Sequence, residues 1–220
     1  MLDLSPSSRL RPKQQGFTLI ELLMVIAVIL ILAGITFGIS RGVQNAQARA
    51  QAKAELATIS QAIEQFKSRY GDYPLHASGG NWDDKHPESQ MLLYALTGRL
   101  KLEPKSFGIG VDAVKVDDSL GSAVVQKQPV FLDHTKFSVQ YDGPTKDKPL
   151  YLLDPWGNPY RYWYKYDNNN EWDIFGYYLF SIGSDGQEDI SGIETSPRTG
   201  VLLDGYRNLE ANIDNIYVGE

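Results

Sequence analysis

The chain has 220 residues, of which 42% are hydrophobic and 22% charged, and its formal net charge is −6 with no cysteine. This length suits one domain, or one domain with an appendage, and the composition excludes wholesale disorder. The acidic balance argues against a dedicated nucleic-acid binder, and the absence of cysteine excludes disulfides, thiolate metal sites and a cysteine nucleophile.

The first predicted element is an apolar segment from residue 17 to residue 39, interrupted by a single charge at Glu21. As a helix it would be about 34 Å long, enough to cross a bilayer. A buried helix of a soluble domain is a poor alternative, because residues 22–39 leave no polar face for water. A cleaved secretory signal would have a shorter apolar run and an A-x-A type cleavage site. We therefore predict a transmembrane helix at 17–39, with the basic leader in the cytoplasm.

Glu21 needs an explanation, because a carboxylate within an apolar segment costs a few kcal/mol. No basic residue lies within helical reach inside the segment. Its partner must come from another chain, or from a new amino terminus created by cleavage nearby.

The sequence around Glu21, Lys-Gln-Gln-Gly-Phe-Thr-Leu-Ile-Glu-Leu-Leu at residues 13–23, resembles the processing site of type IV prepilins. The resemblance implies that a prepilin peptidase cleaves after Gly16, removes the leader 1–16 and methylates the new N-terminal residue, Phe17. It also implies that Glu21 pairs with the N-terminal amine of a neighbouring subunit during assembly.

Residues 40–70 are predicted to continue the helix as a soluble stalk. Apolar residues recur there at intervals of three and four and form one helix face. The residues of this apolar face are Leu56, Ile59, Ile63, Phe66 and Tyr70. Gly71 and Pro74 are expected to end the helix.

Residues 71–220 are predicted to form a globular head. A short helix should start at Glu88 or Ser89, run to Leu96 and end at Gly98. In residues 103–149 only two strand-like runs stand out, Ala113–Val116 and Phe137–Tyr141. Turns are expected at residues 154–159, followed by a hairpin with strands at 160–166 and 173–181.

Twelve aromatic residues lie between positions 151 and 180. Stacking of sugars or bases is one interpretation of them, and packing of a sheet against the stalk helix is the favoured one. The predicted fold class is therefore α+β, a pilin-like arrangement in which a long N-terminal helix packs against a small antiparallel sheet.

Segments of the head extend the resemblance to the major, G-type pseudopilin of type II secretion systems. These segments are Tyr70–Pro74, Leu92–Gly98, Asp154–Tyr160, Ser181–Glu188 and Asp214–Ile216. Residues 103–149 are not covered and are predicted to be an insertion.

The resemblance implies a non-enzymatic subunit of a helical periplasmic fibre. Its partners would be copies of itself, prepilin peptidase, other pseudopilins and the inner-membrane assembly platform, without nucleic acid. The subunit would cross the bacterial inner membrane once, with its leader in the cytoplasm and its head in the periplasm. A surface type IV pilus subunit is the alternative, and a membrane-anchored enzyme or binding module with its active site in 103–149 is a third hypothesis.

The C-terminal part of the chain is rich in acidic residues, which indicates either a solvated surface or a cation site. Calcium prefers six to eight oxygen ligands from carboxylates and carbonyls. The resemblance implies a calcium ion held by the carboxylates of Asp185 and Asp214 and the backbone carbonyls of Ile182 and Gln187. Because the chain between the two aspartates is long, Asp189 and Asp204 remain alternatives to Asp214.

No catalytic motif is present in the sequence. The histidines, His76, His86 and His134, do not form an HExxH pattern, and no GxSxG occurs. We therefore predict that the chain is not an enzyme.

Overall fold

A computed structural model of the chain describes residues 16–75, 85–104, 111–115, 129–144, 148–164, 176–189 and 204–219. At 35–41, 101–104, 111–115 and 204 it describes the backbone alone. The chain divides into two compact units, Met1–Gln44 and Asn45–Glu220.

Helix α1, Leu19–Tyr70, is the longest element and matches the single helix predicted from the membrane segment and the stalk. It ends at Gly71, whose φ is 85° and whose N–H donates to the carbonyl of Lys67 at 2.7 Å. This left-handed conformation favours glycine, which explains why the helix stops there.

In the first unit, the apolar side chains of α1 that the structure describes are exposed. Phe17 and Leu19 are 90% and 85% exposed, and those that follow as far as Leu32 are also exposed. The predicted membrane segment includes residues 35–39, whose side chains lie outside the described part. Within the described residues, no helix has both the length and the apolar character required of a membrane span.

In the second unit, the predicted apolar face of α1 forms one wall of the hydrophobic core. Leu56, Ile59, Ile63 and Phe66 are buried, and Tyr70 packs against them from the edge. The ring of Phe66 also contacts Phe131, with centroids 5.6 Å apart. The predicted apolar face is therefore confirmed as the buried side of this part of α1.

Helix α2, Pro87–Leu96, packs its apolar residues into the same core. Pro87 occupies the first helical turn, where a missing N–H costs nothing, and Gly98 follows the end with φ 70°. The helix begins one residue before Glu88, so the short-helix prediction is confirmed with a small shift of its start.

The described strands form three small antiparallel sheets. Strands β1, Leu100–Pro104, and β2, Val111–Lys115, make the first sheet. The second consists of β3, Ser138–Asp142, and β4, Lys148–Leu153, with a register irregularity after Gln140.

The third sheet has the order β5-β6-β7. Its strands are β5, Arg161–Trp163, β6, Tyr178–Ser181, and β7, Ile216–Tyr217. Arg161 lies opposite Phe180, and Ser181 lies opposite Ile216. A short helix, α3, Asp204–Arg207, and a 3-10 turn, Glu210–Asn212, precede β7.

The predicted α+β, pilin-like fold class is confirmed, because in the second unit the long N-terminal helix packs with small antiparallel sheets. The described strands form three small sheets rather than the single sheet expected. Strands β1, β4 and β7 were not predicted, because short strands with mixed polarity lack a clear alternation. The described parts of the predicted 160–181 hairpin pair as expected, and its connection lies outside the described residues. The described aromatic residues favour packing, since Tyr160, Tyr162 and Trp163 are buried.

Candidate functional sites

The first candidate site is the predicted cleavage point between Gly16 and Phe17. Both residues are exposed, and a Cβ built on Gly16 would have no neighbouring atom within 4 Å. This peptide bond precedes α1, which starts at Leu19. Because both residues are exposed and no atom crowds Gly16, we expect a peptidase to reach this bond.

Glu21 folds back on Thr18 to cap the start of α1. The backbone N–H and the side-chain hydroxyl of Thr18 both donate to Glu21 Oε2 at 2.8 Å. The Glu21 N–H donates in return to Thr18 Oγ1 at 3.3 Å. This reciprocal pattern is a capping box. The Thr-x-x-Glu spacing at residues 18–21 is its sequence signature, which the interpretation of Glu21 as an assembly residue left unused.

The second candidate site is the acidic loop, defined as residues 181–188. Gly183 and Gly186 adopt φ values of 74° and 66°, which side chains rarely tolerate. A Cβ on Gly183 would lie 2.5 Å from Asp214 Oδ2, so this glycine permits the close approach of the C-terminal segment. The loop is therefore shaped around the Asp214 carboxylate.

Asp214 is bound to the acidic loop by several hydrogen bonds. Its Oδ2 accepts the backbone N–H groups of Ser184 and Asp185 at 2.7 and 3.2 Å, and the Ser184 hydroxyl at 3.1 Å. Its Oδ1 is buried and has no hydrogen-bond partner among the residues that the structure describes. A buried carboxylate oxygen without a donor is costly unless a cation or water satisfies it. This atom therefore fits a metal ligand.

The other predicted ligands belong to the acidic loop itself. Asp185 is exposed, and its Oδ1 accepts the N–H of Gln187 at 2.9 Å. The side chain of Ile182 is buried. The structure thus brings Asp185 and Asp214 together, although they are 29 positions apart in the chain.

The alternatives to Asp214 are placed differently. The backbone of Asp189 pairs with the Asn212 side chain, with distances of 2.9 and 3.1 Å. Asp204 starts α3, and its side chain is not described. No group of three or more His, Asp or Glu side chains suited to a metal occurs in the described part of the chain. A cation here would therefore depend on two carboxylates and on backbone oxygens.

The turn at 154–159 packs against the start of the acidic loop. Asp154 is buried and its Oδ1 accepts the N–H groups of Trp156 and Asn158 at 3.0 and 2.8 Å. Its Oδ2 accepts the Ser181 hydroxyl at 2.6 Å. Burial raises the pKa of Asp154 above its usual value, and these hydrogen bonds partly oppose the rise.

Two side chains of the same segment reach the acidic loop directly. Asn158 Nδ2 donates to the carbonyl of Gly183 at 2.9 Å. Arg161 Nε donates to Glu188 Oε2 at 2.8 Å, and the second arm of the guanidinium pairs with the other carboxylate oxygen. Arg161 and Glu188 are each 13% exposed, so this ion pair is largely shielded from water.

The described histidines make local contacts within the head. His86 stacks edge-on against the Tyr151 ring at 5.3 Å and contacts Arg161. Burial, together with the charge of Arg99, lowers the pKa of His134. His76 lies outside the described residues.

Comparison with known families identifies the N-terminal segment. Residues 11–37 match the family described as the prokaryotic N-terminal methylation motif. The chain carries a type IV pilin-like prepilin motif. Such a motif indicates a structural pilin- or pseudopilin-like subunit with a membrane-associated precursor, which a prepilin peptidase processes before the subunits assemble into a homo-oligomeric fibre. No curated protein and no solved structure matches the chain.

Proposed function

We propose that the chain is a pseudopilin, a non-enzymatic subunit that polymerises into a periplasmic fibre for type II protein secretion. The observation that carries the proposal is the methylation motif at 11–37, located where an exposed cleavage point meets a long helix with uncovered apolar side chains. The similarity of the head segments to the G-type pseudopilin favours secretion over a surface pilus. A surface type IV pilus subunit is the competing function.

The apolar segment 17–39 is proposed to cross the inner membrane before assembly and to pack against other subunits in the fibre. Exposed apolar side chains such as Leu22, Leu30 and Leu32 need lipid or protein around them. The basic leader, with Arg9, Arg11 and Lys13, would hold the N-terminus in the cytoplasm and leave the head in the periplasm.

Glu21 is proposed to exchange its partner during assembly. In the isolated chain, Thr18 satisfies one oxygen of the Glu21 carboxylate. In the fibre, the methylated amine of Phe17 from an adjacent subunit would pair with the same carboxylate. Because an unpaired charge in an apolar environment is costly, this ion pair would fix the axial stagger between subunits.

Substitutions at Glu21 test this assembly step. Glu21→Gln keeps the shape and the capping box, which accepts Glu or Gln, but removes the charge. It should still be inserted and cleaved, and its fibre yield should fall as strongly as that of Glu21→Ala. Thr18→Ala, which weakens the cap and leaves the charge, should have a smaller effect. Parental fibre yield from Glu21→Gln, normalised to processed protein in the membrane, would refute the pairing.

Calcium is proposed to bind between the acidic loop and the C-terminal segment. The ligands would be the carboxylates of Asp185 and Asp214, with the carbonyls of Ile182 and Gln187. The buried Oδ1 of Asp214, for which the described part of the chain provides no hydrogen-bond donor, supports this proposal. A bound ion would neutralise the two carboxylates and tie the end of the chain to the rest of the head.

Deletion of the gene separates the two candidate functions. If the chain serves secretion, its loss should trap exported proteins in the periplasm and leave surface filaments intact. Loss of surface filaments with normal export would overturn the pseudopilin assignment and favour the pilus. Complementation with the parental gene and with Glu21→Gln provides the matched pair of controls.

A further inference from the structure

The turn segment, defined as residues 154–161, contacts the acidic loop at both of its ends. At the start, Asp154 accepts the Ser181 hydroxyl, and Asn158 donates to the Gly183 carbonyl. At the end, Arg161 forms the shielded ion pair with Glu188. The proposed calcium ligands of the loop, residues 182–187, lie between these attachment points.

The side-chain amide of Asn158 lies against two glycines of the acidic loop. Its Nδ2 lies 2.9 Å from the Gly183 carbonyl, and a Cβ on Gly186 would lie 3.2 Å from its Oδ1. One amide side chain therefore touches the loop on both sides of Asp185. Its own backbone N–H is held by Asp154, so the amide extends from a fixed turn.

The Arg161 contact fixes the C-terminal end of the loop. The planar guanidinium binds both oxygens of Glu188, which immediately follows the ligand residue Gln187. A two-pronged contact of this kind restrains orientation as well as distance. Because Arg161 lies in β5, opposite Phe180 of β6, the restraint comes from the sheet itself.

We propose that Asn158 and Arg161 are positioning residues for the calcium site: Asn158 supports the loop at Gly183 and Gly186, and Arg161 holds its C-terminal end at Glu188, so that the loop oxygens already face the ion. This inference rests on the calcium site of the proposed function. A loop held in its binding conformation loses less conformational freedom when the ion arrives, and groups that orient the ligands of a metal affect its affinity by about 10- to 100-fold.

Calcium titration of the full-length chain in detergent, well below its melting temperature, tests the proposal. Asn158→Ala and Arg161→Lys preserve the net charge and should weaken calcium binding by about 10-fold or more. Asn158→Ser serves as a milder variant if the alanine substitution impairs folding. The binding constant of the folded chain is the readout, because a purely structural role would lower thermal stability without changing it.

Ser89→Ala is the matched control. Its hydroxyl donates a buried 2.8 Å hydrogen bond to the carbonyl of Tyr160, the residue before Arg161, and not to the acidic loop. This variant should melt at a lower temperature in chelator and bind calcium within about twofold of the parent. An equal loss of calcium affinity in Ser89→Ala, or unchanged affinity in Asn158→Ala, would overturn the positioning role while the site stands. A parental chain that does not bind calcium would refute the site itself, and the inference with it.

Discussion

The hydroxyl of Tyr160 donates a 2.6 Å hydrogen bond to the carboxylate of Glu55, a residue 105 positions earlier in the chain. Tyr160 is buried immediately before β5, and Glu55 lies on α1 beside the buried Leu56. A second contact of this type joins Ser60 of α1 to the Tyr177 hydroxyl at 2.8 Å. Within the second unit, these two hydrogen bonds therefore fix the position of α1 against the residues that immediately precede β5 and β6.

Removal of the Tyr160 hydroxyl should destabilise the head. A hydrogen bond to a charged group contributes about 1.5–3 kcal/mol, so Tyr160→Phe should lower the free energy of unfolding by about that amount. Ser60→Ala removes a neutral bond and should cost about 0.5–1.5 kcal/mol. Denaturant unfolding of the full-length chain in detergent, followed by tryptophan fluorescence, measures both. Equal effects would contradict the assigned role of the Glu55 charge.

The apolar face of α1 should carry much of the stability of the head. Ile59→Ala creates a cavity at a fully buried position and should cost about 2–5 kcal/mol. Ile213→Ala makes the same chemical change at a residue that is 73% exposed, and should cost less than about 0.5 kcal/mol. The two unfolding curves should differ clearly. Similar losses would show that the helix face does not pack as described.

Calcium should stabilise the head through Asp214. At a hundredfold excess over Kd, binding to the folded state adds about 2.7 kcal/mol, which corresponds to a rise in Tm of about 5–10 °C for a head of ~150 residues. Asp214→Asn should abolish this response. Glu210→Gln removes one charge from an exposed position on the adjacent 3-10 turn and should leave the response intact. Superimposable melting curves with calcium and with chelator would refute the site.

Alkaline pH should unfold the head. Burial raises the pKa of Tyr160, Tyr162 and Tyr206 far above the usual value, and that of Tyr177 to about 12. In the unfolded chain the tyrosine pKa is about 10, so the stability that these neutral hydroxyls contribute is complete below about pH 10. Because their pKa values are raised in the folded chain, this stability is lost as the pH rises above 10 and through the pKa values of the folded state. Tyrosinate absorbance and circular dichroism should therefore change together above about pH 10. Ionisation of all tyrosines near pH 10 with unchanged circular dichroism would contradict the burial.

Processing should leave a mature chain that begins at Phe17 and carries a methylated amine. Intact-mass measurement and N-terminal analysis of protein extracted from membranes check this outcome. Gly34→Ala, a substitution within the helix, should be processed normally. A mature form that retains residues 1–16, or one cleaved near Ser40, would contradict the prepilin assignment.

The sequence by itself determined the features that depend on residues close together in the chain. The motif around Gly16, Phe17 and Glu21 consists of residues that are neighbours in the chain. The apolar face from Leu56 to Tyr70 follows from helical periodicity. Local turn chemistry likewise placed the end of α1 at Gly71 and the turns after Asp154. In each case the signal and its consequence lie within a few residues.

Only the tertiary structure decided which distant residues meet. It separated the described strands into three small sheets, brought Asp214 onto the N–H groups of Ser184 and Asp185, and placed Asn158 and Arg161 against Gly183 and Glu188 of the acidic loop. The sequence carries no local signal for these contacts, because their geometry depends on how the strands pair and on the left-handed turn that Gly183 allows. Side chains far apart in the chain become neighbours only when the buried core fixes the backbone between them.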